Sequence, residues 1–290
     1  MPAPVWPIRA AEALAAGAIT PDRLRRDYTR LYPGVWLPRE AALSATLRAR
    51  AAWLWSRRRG VLAGLSASAL LGAKWIDADS PAALIYGNRR APPLLTVHTE
   101  TLLAGETRTV RGLPATTAAR TAFDLGRHLK LTEGVQRIDA LMNATDLKAV
   151  EVMALADAHR GARGLRQLDE TLQLVDGGAD SPYESLTRLL LVRAGFPRPQ
   201  TQIPVYGDYG QLVAVIDMGW KEHLVGVDFE GAHHWIDPKQ RERDAERYNT
   251  LLELGWIDIK LTSRTLHMAP GRFLDRVGAA LISRGCQKTW

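Results

Sequence analysis

Residues 211–235, QLVAVIDMGWKEHLVGVDFEGAHHW, contain two apolar runs that read as strands, each carrying carboxylates near its end. A hairpin turning at Glu222 and His223 makes 217 and 228 equidistant from the turn, so Asp217 and Asp228 face each other across it. Side chains alternate along a strand with period two, which puts Glu230 on the face of Asp228. Like charges directly opposite in a sheet repel, and three acids in an otherwise apolar hairpin require a counter-ion. A divalent metal is the natural candidate.

The rest of the chain sets the bounds. Its 290 residues suffice for two ordinary domains or three small ones, each with its own core. With 46% apolar residues and no long biased tract, a disordered or fibrous chain is excluded. No apolar run reaches the roughly 18 residues of a bilayer span, and MPAPVWPIRA lacks the hydrophobic segment of a signal peptide. The expected location is cytoplasmic. Cys286, the sole cysteine, permits no internal disulfide and no cysteine-based zinc site. The net charge of +7 is localised: residues 1–60 hold eleven arginines against four acids, while the remainder balances at 27 bases and 27 acids. A basic segment of this kind suits a polyanionic partner through counterion release; its bland counterpart is an arginine-rich solvated surface.

Along the chain, residues 10–16 are helical in composition, Gly17 stops the helix, and Thr20-Pro21 supplies an N-cap with proline at the first helical position. The second helix, to about Asp27, carries Arg23, Arg25 and Arg26, and Pro33-Gly34 then turns two short extended pieces. This is winged-helix order, in which Arg23, Arg25 and Arg26 reach duplex DNA in the major groove and Arg30 contacts the backbone. The other reading is a small helical cap with solvated arginines. Helices over 40–73 and 117–174 flank the short strands PAALIYG, LLTVHTE and TRTVRGLPAT. Trp53, Trp55 and Trp75 read as core. VDGGADSP, residues 175–182, is the domain break. Beyond it the order is helix (SPYESLTRLLLVRAGF), hairpin, helix (PKQRERDAERYNTLLELGW), strand (IDIKLTS) and helix, which makes a mixed sheet flanked by helices.

On these motifs, residues 181–282 resemble the restriction-endonuclease-like domain related to very-short-patch repair endonucleases, within the PD-(D/E)xK superfamily. SPYES, VIDMGW, VGVDFEGAHHW and RERDAERYNTLLELGW carry the likeness. Residues 1–40 resemble the winged helix of AbiEi-type antitoxins. The stretch to about residue 175, with SASALLG and TTAARTAFDL, resembles the middle α+β part of the same mycobacterial and actinobacterial proteins. The implied organisation is a winged helix (1–40), an α+β middle domain (41–175) and an endonuclease-like domain (181–290).

The resemblance implies Mg²⁺ (or Mn²⁺) held by Asp217, Asp228 and Glu230, with Glu184 completing the acidic set. Glu184 also completes an S-x-x-E capping box with Ser181, and both readings stand. The order Asp228 then Glu230 reverses the family's usual glutamate-then-aspartate, and its lysine is absent from position 230, leaving Lys221, Lys260 or a histidine. His233 and His234 read as general base or phosphate contact, or as a structural pair. A zinc site from His223, His233 and His234 fits no common spacing. Arg243 and Arg247, one turn apart, either grip a phosphate or pair with neighbouring acids. The expectation is a protein that docks double-stranded DNA and cuts it with a metal. The alternative is a catalytically inactive, antitoxin-like DNA-binding regulator; a toxin or repair protein is a further possible partner.

Overall fold

The structure, a computed structural model, describes residues 6–230 and 238–290. Helices and strands are mixed, the strands form three separate sheets, and the chain divides into two compact units, Met1–Val175 and Asp176–Trp290. Among the described residues no helix is long and apolar enough to cross a membrane.

The first unit opens with β1 (Ile8–Arg9) and α1 (Ala10–Ala15). Gly17 takes φ +65° just beyond, a left-handed turn that glycine adopts without steric cost. Thr20 accepts the Arg23 amide at 3.2 Å and so caps α2 (Pro21–Asp27). β2 (Tyr28–Tyr32) and β3 (Val35–Pro38) follow, and the first sheet has the order β1-β3-β2. Buried Ile19, Leu24 and Tyr28, with Ile8, Leu14 and Trp36 against them, form a small cluster between this sheet and the two helices. Buried Tyr32 and Val35 join one apolar cluster with α3 (Ala45–Trp55), β4 (Val61–Leu62), α4 (Gly64–Leu71) and β5 (Ala82–Ile85), so packing runs across the expected boundary at residue 40.

β6 (Leu95–His98), β7 (Thr107–Val110) and β8 (Leu113–Thr116) complete a second sheet, ordered β6-β5-β4-β8-β7. Helices α5 (Ala118–His128), α6 (Leu131–Ala144), α7 (Ala149–Ala158) and α8 (Leu165–Leu172) close the unit. Trp53 and Trp55 pack against the core, but Trp75 is 55% exposed. Its left-handed backbone, φ +63°, lies in a loop rather than in an element with an inward face, so the reading of Trp75 as core is corrected.

In the second unit, α9 (Pro182–Arg193) precedes β9 (Gln200–Tyr206), β10 (Leu212–Trp220) and β11 (Val225–Glu230). α10 (Pro238–Glu253), β12 (Ile257–Thr262), α11 (Ser263–Met268) and α12 (Pro270–Ser283) complete it. The sheet order is β12-β11-β10-β9, antiparallel except for the parallel pair β11 and β12 that α10 connects. β9 is absent from the expected element order. Pro204 sits inside it, and a proline cannot donate to a ladder, which weakens the strand signal but is tolerated because β9 is an edge. Buried Met218, Trp220, Val225, Val227, Ile259 and Leu261 pack with Phe273, Val277 and Leu281 of α12. Ile203, Ile216, Leu251 and Trp256 form a second cluster that seats α10.

Candidate active site

Local sequence fixes the hairpin register. Trp220 pairs with Val225, Gly219 with Gly226 and Met218 with Val227, around a short turn at Lys221–His223 closed by Leu224 at φ +52°. The strands come so close at Gly219 that a Cβ there would lie 2.3 Å from the Val225 carbonyl oxygen. The next pair outward is Asp217 and Asp228. Here side chains take over the ladder: the Asp217 amide donates to Asp228 Oδ1 at 2.9 Å, and the Phe229 amide donates to Asp217 Oδ2 at 2.7 Å. Each aspartate is thereby locked to the other strand's backbone, and the carboxylates are held together.

Parallel pairing then brings in β12, with Asp228 beside Lys260 and Gly226 beside Asp258. Lys260 Nζ lies 2.7 Å from Asp228 Oδ2 and 2.7 Å from Asp258 Oδ2. The Asp258 contact is an ion pair without hydrogen-bond alignment, so both buried Asp258 oxygens lack a hydrogen bond. From α10, Arg247 donates to Asp228 Oδ2 at 2.6 Å and to the Val215 carbonyl at 2.8 Å. From α9, Tyr183 stacks on Phe229 with ring centroids 4.6 Å apart, fixing the first turn of that helix against β11 and setting Glu184 toward the acids. Glu184 is buried and also serves the cap: it accepts the Asp180 amide at 2.8 Å, rather than the expected Ser181 amide, while its own amide donates to Ser181 Oγ at 3.2 Å. Glu230 is half-buried at the end of β11 beside Thr262, with no ion pair among the described residues.

The electrostatics follow from this crowding. Burial, then the charges of Asp228 and Glu184, push the Asp217 carboxyl up to about 7. Glu184 is raised chiefly by burial, against the pull of the Asp180 amide. Asp258 is raised by burial and by Asp228, with Lys260 opposing. Burial works against the Lys260 ammonium, but Asp228 and Asp258 outweigh it and raise its pKa, so it stays charged.

Glu184, Asp217, Asp228 and Asp258 thus form one acidic set with two bases beside it, Arg247 and Lys260 on Asp228 and Lys260 also on Asp258. Asp217 Oδ1 meets no donor among the described residues. This oxygen-rich, negatively charged set fits Mg²⁺ or Mn²⁺, hard cations that keep several waters and take one or two protein carboxylates. Among the described residues no third acid brings an oxygen within 4.8 Å of both others, so the fit is that of a two-carboxylate site.

Other sequence-predicted residues lie elsewhere or are spent. Lys221 and His223 sit at the hairpin turn, and His223 Nδ1 faces the Arg284 carbonyl at 3.3 Å, so neither reaches Asp217. His233 and His234 lie outside the described residues, as does the side chain of Arg243. Lys260, one of the lysines that the sequence offered, contacts Asp228 and Asp258. Asp258 went unmarked by sequence reasoning, although charges at alternate positions of IDIKLT are the same signal that marks the hairpin. In the first unit, Arg25 pairs with Asp22 at 3.3 Å, and Arg26 and Arg23 pair with Asp27 at 2.8 and 3.5 Å, all on the exposed side of α2. Arg30 is exposed on β2 with no ion pair among the described residues.

The chain is distantly homologous to two mycobacterial proteins. It is 28% identical over 253 residues, covering 87% of this chain and 92% of the relative, to the uncharacterized protein Rv2248 of Mycobacterium tuberculosis H37Rv. The same figures hold for the uncharacterized protein MT2308 of M. tuberculosis CDC 1551. No family model and no solved structure matches the chain.

Proposed function

We propose that the protein binds double-stranded DNA and hydrolyses its phosphodiester bonds with Mg²⁺ or Mn²⁺ in the second unit. The observation that carries this reading is the side-chain exchange of Asp217 and Asp228 across the hairpin with Lys260 on the adjoining strand. Asp217 and Asp228 would hold the cation, with Glu230 at the strand end and Glu184 from α9 adding negative charge. When bound, such a cation lowers the pKa of a water and neutralises charge on the attacked phosphate. Asp228 positions Lys260, and Lys260, kept as an ammonium by two aspartates, offers a fixed positive charge to a phosphate oxygen rather than acting as a base. The first unit would dock the duplex in winged-helix fashion, with Arg30 and α2 on the backbone. On this reading its arginines exchange Asp22 and Asp27 for phosphates, and exposed pairs of this kind are weak enough to be exchanged.

One observation favours the second reading, a DNA-binding regulator without chemistry. Arg247 and Lys260 both contact Asp228 Oδ2, which gives that carboxylate protein counter-ions of its own. Nicking of supercoiled plasmid separates the two. The full chain with Mg²⁺ or Mn²⁺ is expected to relax the plasmid, and Asp217→Asn and Lys260→Met to fall below detection. Absence of nicking by a folded, DNA-binding wild type would establish the regulator, and equal nicking by the variants would place the chemistry elsewhere.

A further inference from the structure

A second cluster of metal-binding side chains lies in the first unit, far in sequence from the aspartates. His98 ends β6 and Glu100 follows two residues later, while His128 ends α5; one donor atom from each of the three lies within 4.8 Å of the others. They border a cleft of about 1050 Å³ whose lining includes Arg160 and Arg163. We propose that His98, Glu100 and His128 form a binding site for a divalent transition metal, with Zn²⁺ the preferred ion and the remaining coordination position open to the cleft. Two imidazoles and one carboxylate, with a further position left open, are among the donor sets that zinc takes in open sites.

The surroundings do what outer residues do around a metal. Arg120 and Arg127 donate to Glu100 Oε2 at 3.1 and 2.5 Å, which leaves Oε1 turned to His128 Nε2 at 3.0 Å. The carboxylate is therefore oriented before any ion arrives. Neither arginine is a bare positive charge beside the site. Asp124 takes Arg120 Nε at 3.0 Å and Arg127 at 3.0 Å, and Glu106 also pairs with Arg120, so three acids face two guanidinium groups. Softer imidazole donors in a nearly balanced field select a borderline metal, in contrast to the oxygen-only, charge-rich aspartate site.

Two adjustments are required, the first being release of the proton by which His128 Nε2 bonds Glu100 Oε1. The His98 and His128 rings are stacked, 4.7 Å apart and 2° from parallel, so their lone pairs run in separate planes. One ring must turn about χ2, a soft torsion in histidine, and His128, with 31% of its side chain exposed, has the room.

The test uses the full chain carrying Asp217→Ala and Asp228→Ala, so that the second unit does not contribute. After chelator treatment and dialysis against micromolar Zn²⁺, one zinc per chain is expected by elemental analysis, and Co²⁺ substitution is expected to give visible absorption bands of a nitrogen–oxygen site. His98→Ala and His128→Ala are each expected to weaken binding about 100-fold or more, with circular dichroism confirming that the first unit is folded. No retained zinc, or equal retention by the folded His98→Ala/His128→Ala double variant, would overturn the site and show a hydrogen-bonded cluster only. Neither result bears on plasmid nicking, so the two proposals fail separately.

Discussion

In the first unit, Arg120 and Arg127 are almost wholly buried, and each of Glu100, Glu106 and Asp124 touches at least one of them. In the second, Glu184, Asp217, Asp228 and Asp258 form one acidic set, of which only Asp228 and Asp258 contact the bases Lys260 and Arg247 among the described residues. The carboxylates respond in opposite directions. The hydrogen bond from His128, then the charge of Arg127, hold Glu100 at about 2 despite burial. Burial works against ionised Glu106 too, but hydrogen bonds from His159, the Leu103 amide and Arg120 leave its pKa lowered. Asp217 instead rises to about 7, and Glu184 and Asp258 rise with it. Burial is common to both clusters, so burial alone does not make a site. The difference is whether the protein supplies enough positive charge of its own. A cluster that falls short keeps a place for a hard cation held by carboxylates, whereas beside Glu100 it is the two imidazoles that would recruit a metal, and perturbed groups of the first kind mark functional positions.

The largest expected effect tests the first half of this contrast. Arg120→Met strands buried carboxylates and is expected to cost the first unit about 3–5 kcal/mol, measured by hydrogen exchange resolved over each unit, with no recovery in Mg²⁺. Lys260→Met is expected to cost the second unit less, because its side chain is 29% exposed, and millimolar Mn²⁺ is expected to recover part of the loss by binding the folded form. Recovery of both units, or of neither, would erase the distinction.

A smaller effect concerns pH. Asp217 titrates near 3.8 when unfolded and at about 7 when folded, so the folded state holds a proton that the unfolded state has released between those values. Its contribution is therefore most favourable below pH 4 and is lost as pH rises to about 7. Glu100 runs the other way: its contribution is present above 4.5 and is lost as pH falls toward 2. Asp217→Asn, which keeps an acceptor for the Phe229 amide, is expected to stabilise the second unit at pH 8 by on the order of 2–4 kcal/mol while abolishing nicking. A destabilised variant would mean that Asp217 serves the fold rather than a cation. The smallest effect falls on DNA. Arg25→Ala with Arg26→Ala is expected to lower the slope of log affinity against log salt by about 1–2, and an unchanged slope would remove α2 from the DNA interface.

The legible parts of this protein are its local ones. The Asp217–Asp228 register follows from the symmetry of a short turn, and Thr20, Pro21, Gly17 and Gly34 announce their elements within a few residues. Lys260 was visible as a lysine but not as a partner, because its place depends on β12 pairing parallel with β11 across the intervening α10. Arg247 illustrates the same limit: helical spacing left it either a phosphate contact or a partner of neighbouring acids, and the packing of α10 places its guanidinium on Asp228, an acid distant in sequence. The cluster at Glu100 showed only the helical spacing of Arg120, Asp124 and Arg127 on α5, since Glu100, Glu106 and His159 join them only when the elements over residues 98–159 pack. β9 was hidden by Pro204, which reads as a break until the strand is known to be an edge.

The central claim is that Asp217 and Asp228 share a divalent cation. Calorimetric titration of the full chain with Mn²⁺ at pH 7, repeated in buffers of different ionisation enthalpy, reads both the binding and the proton that Asp217 gives up. The account predicts saturable binding with about half a proton released per ion, absent in Asp217→Asn. Binding without proton release, or undiminished in Asp217→Asn, would contradict it.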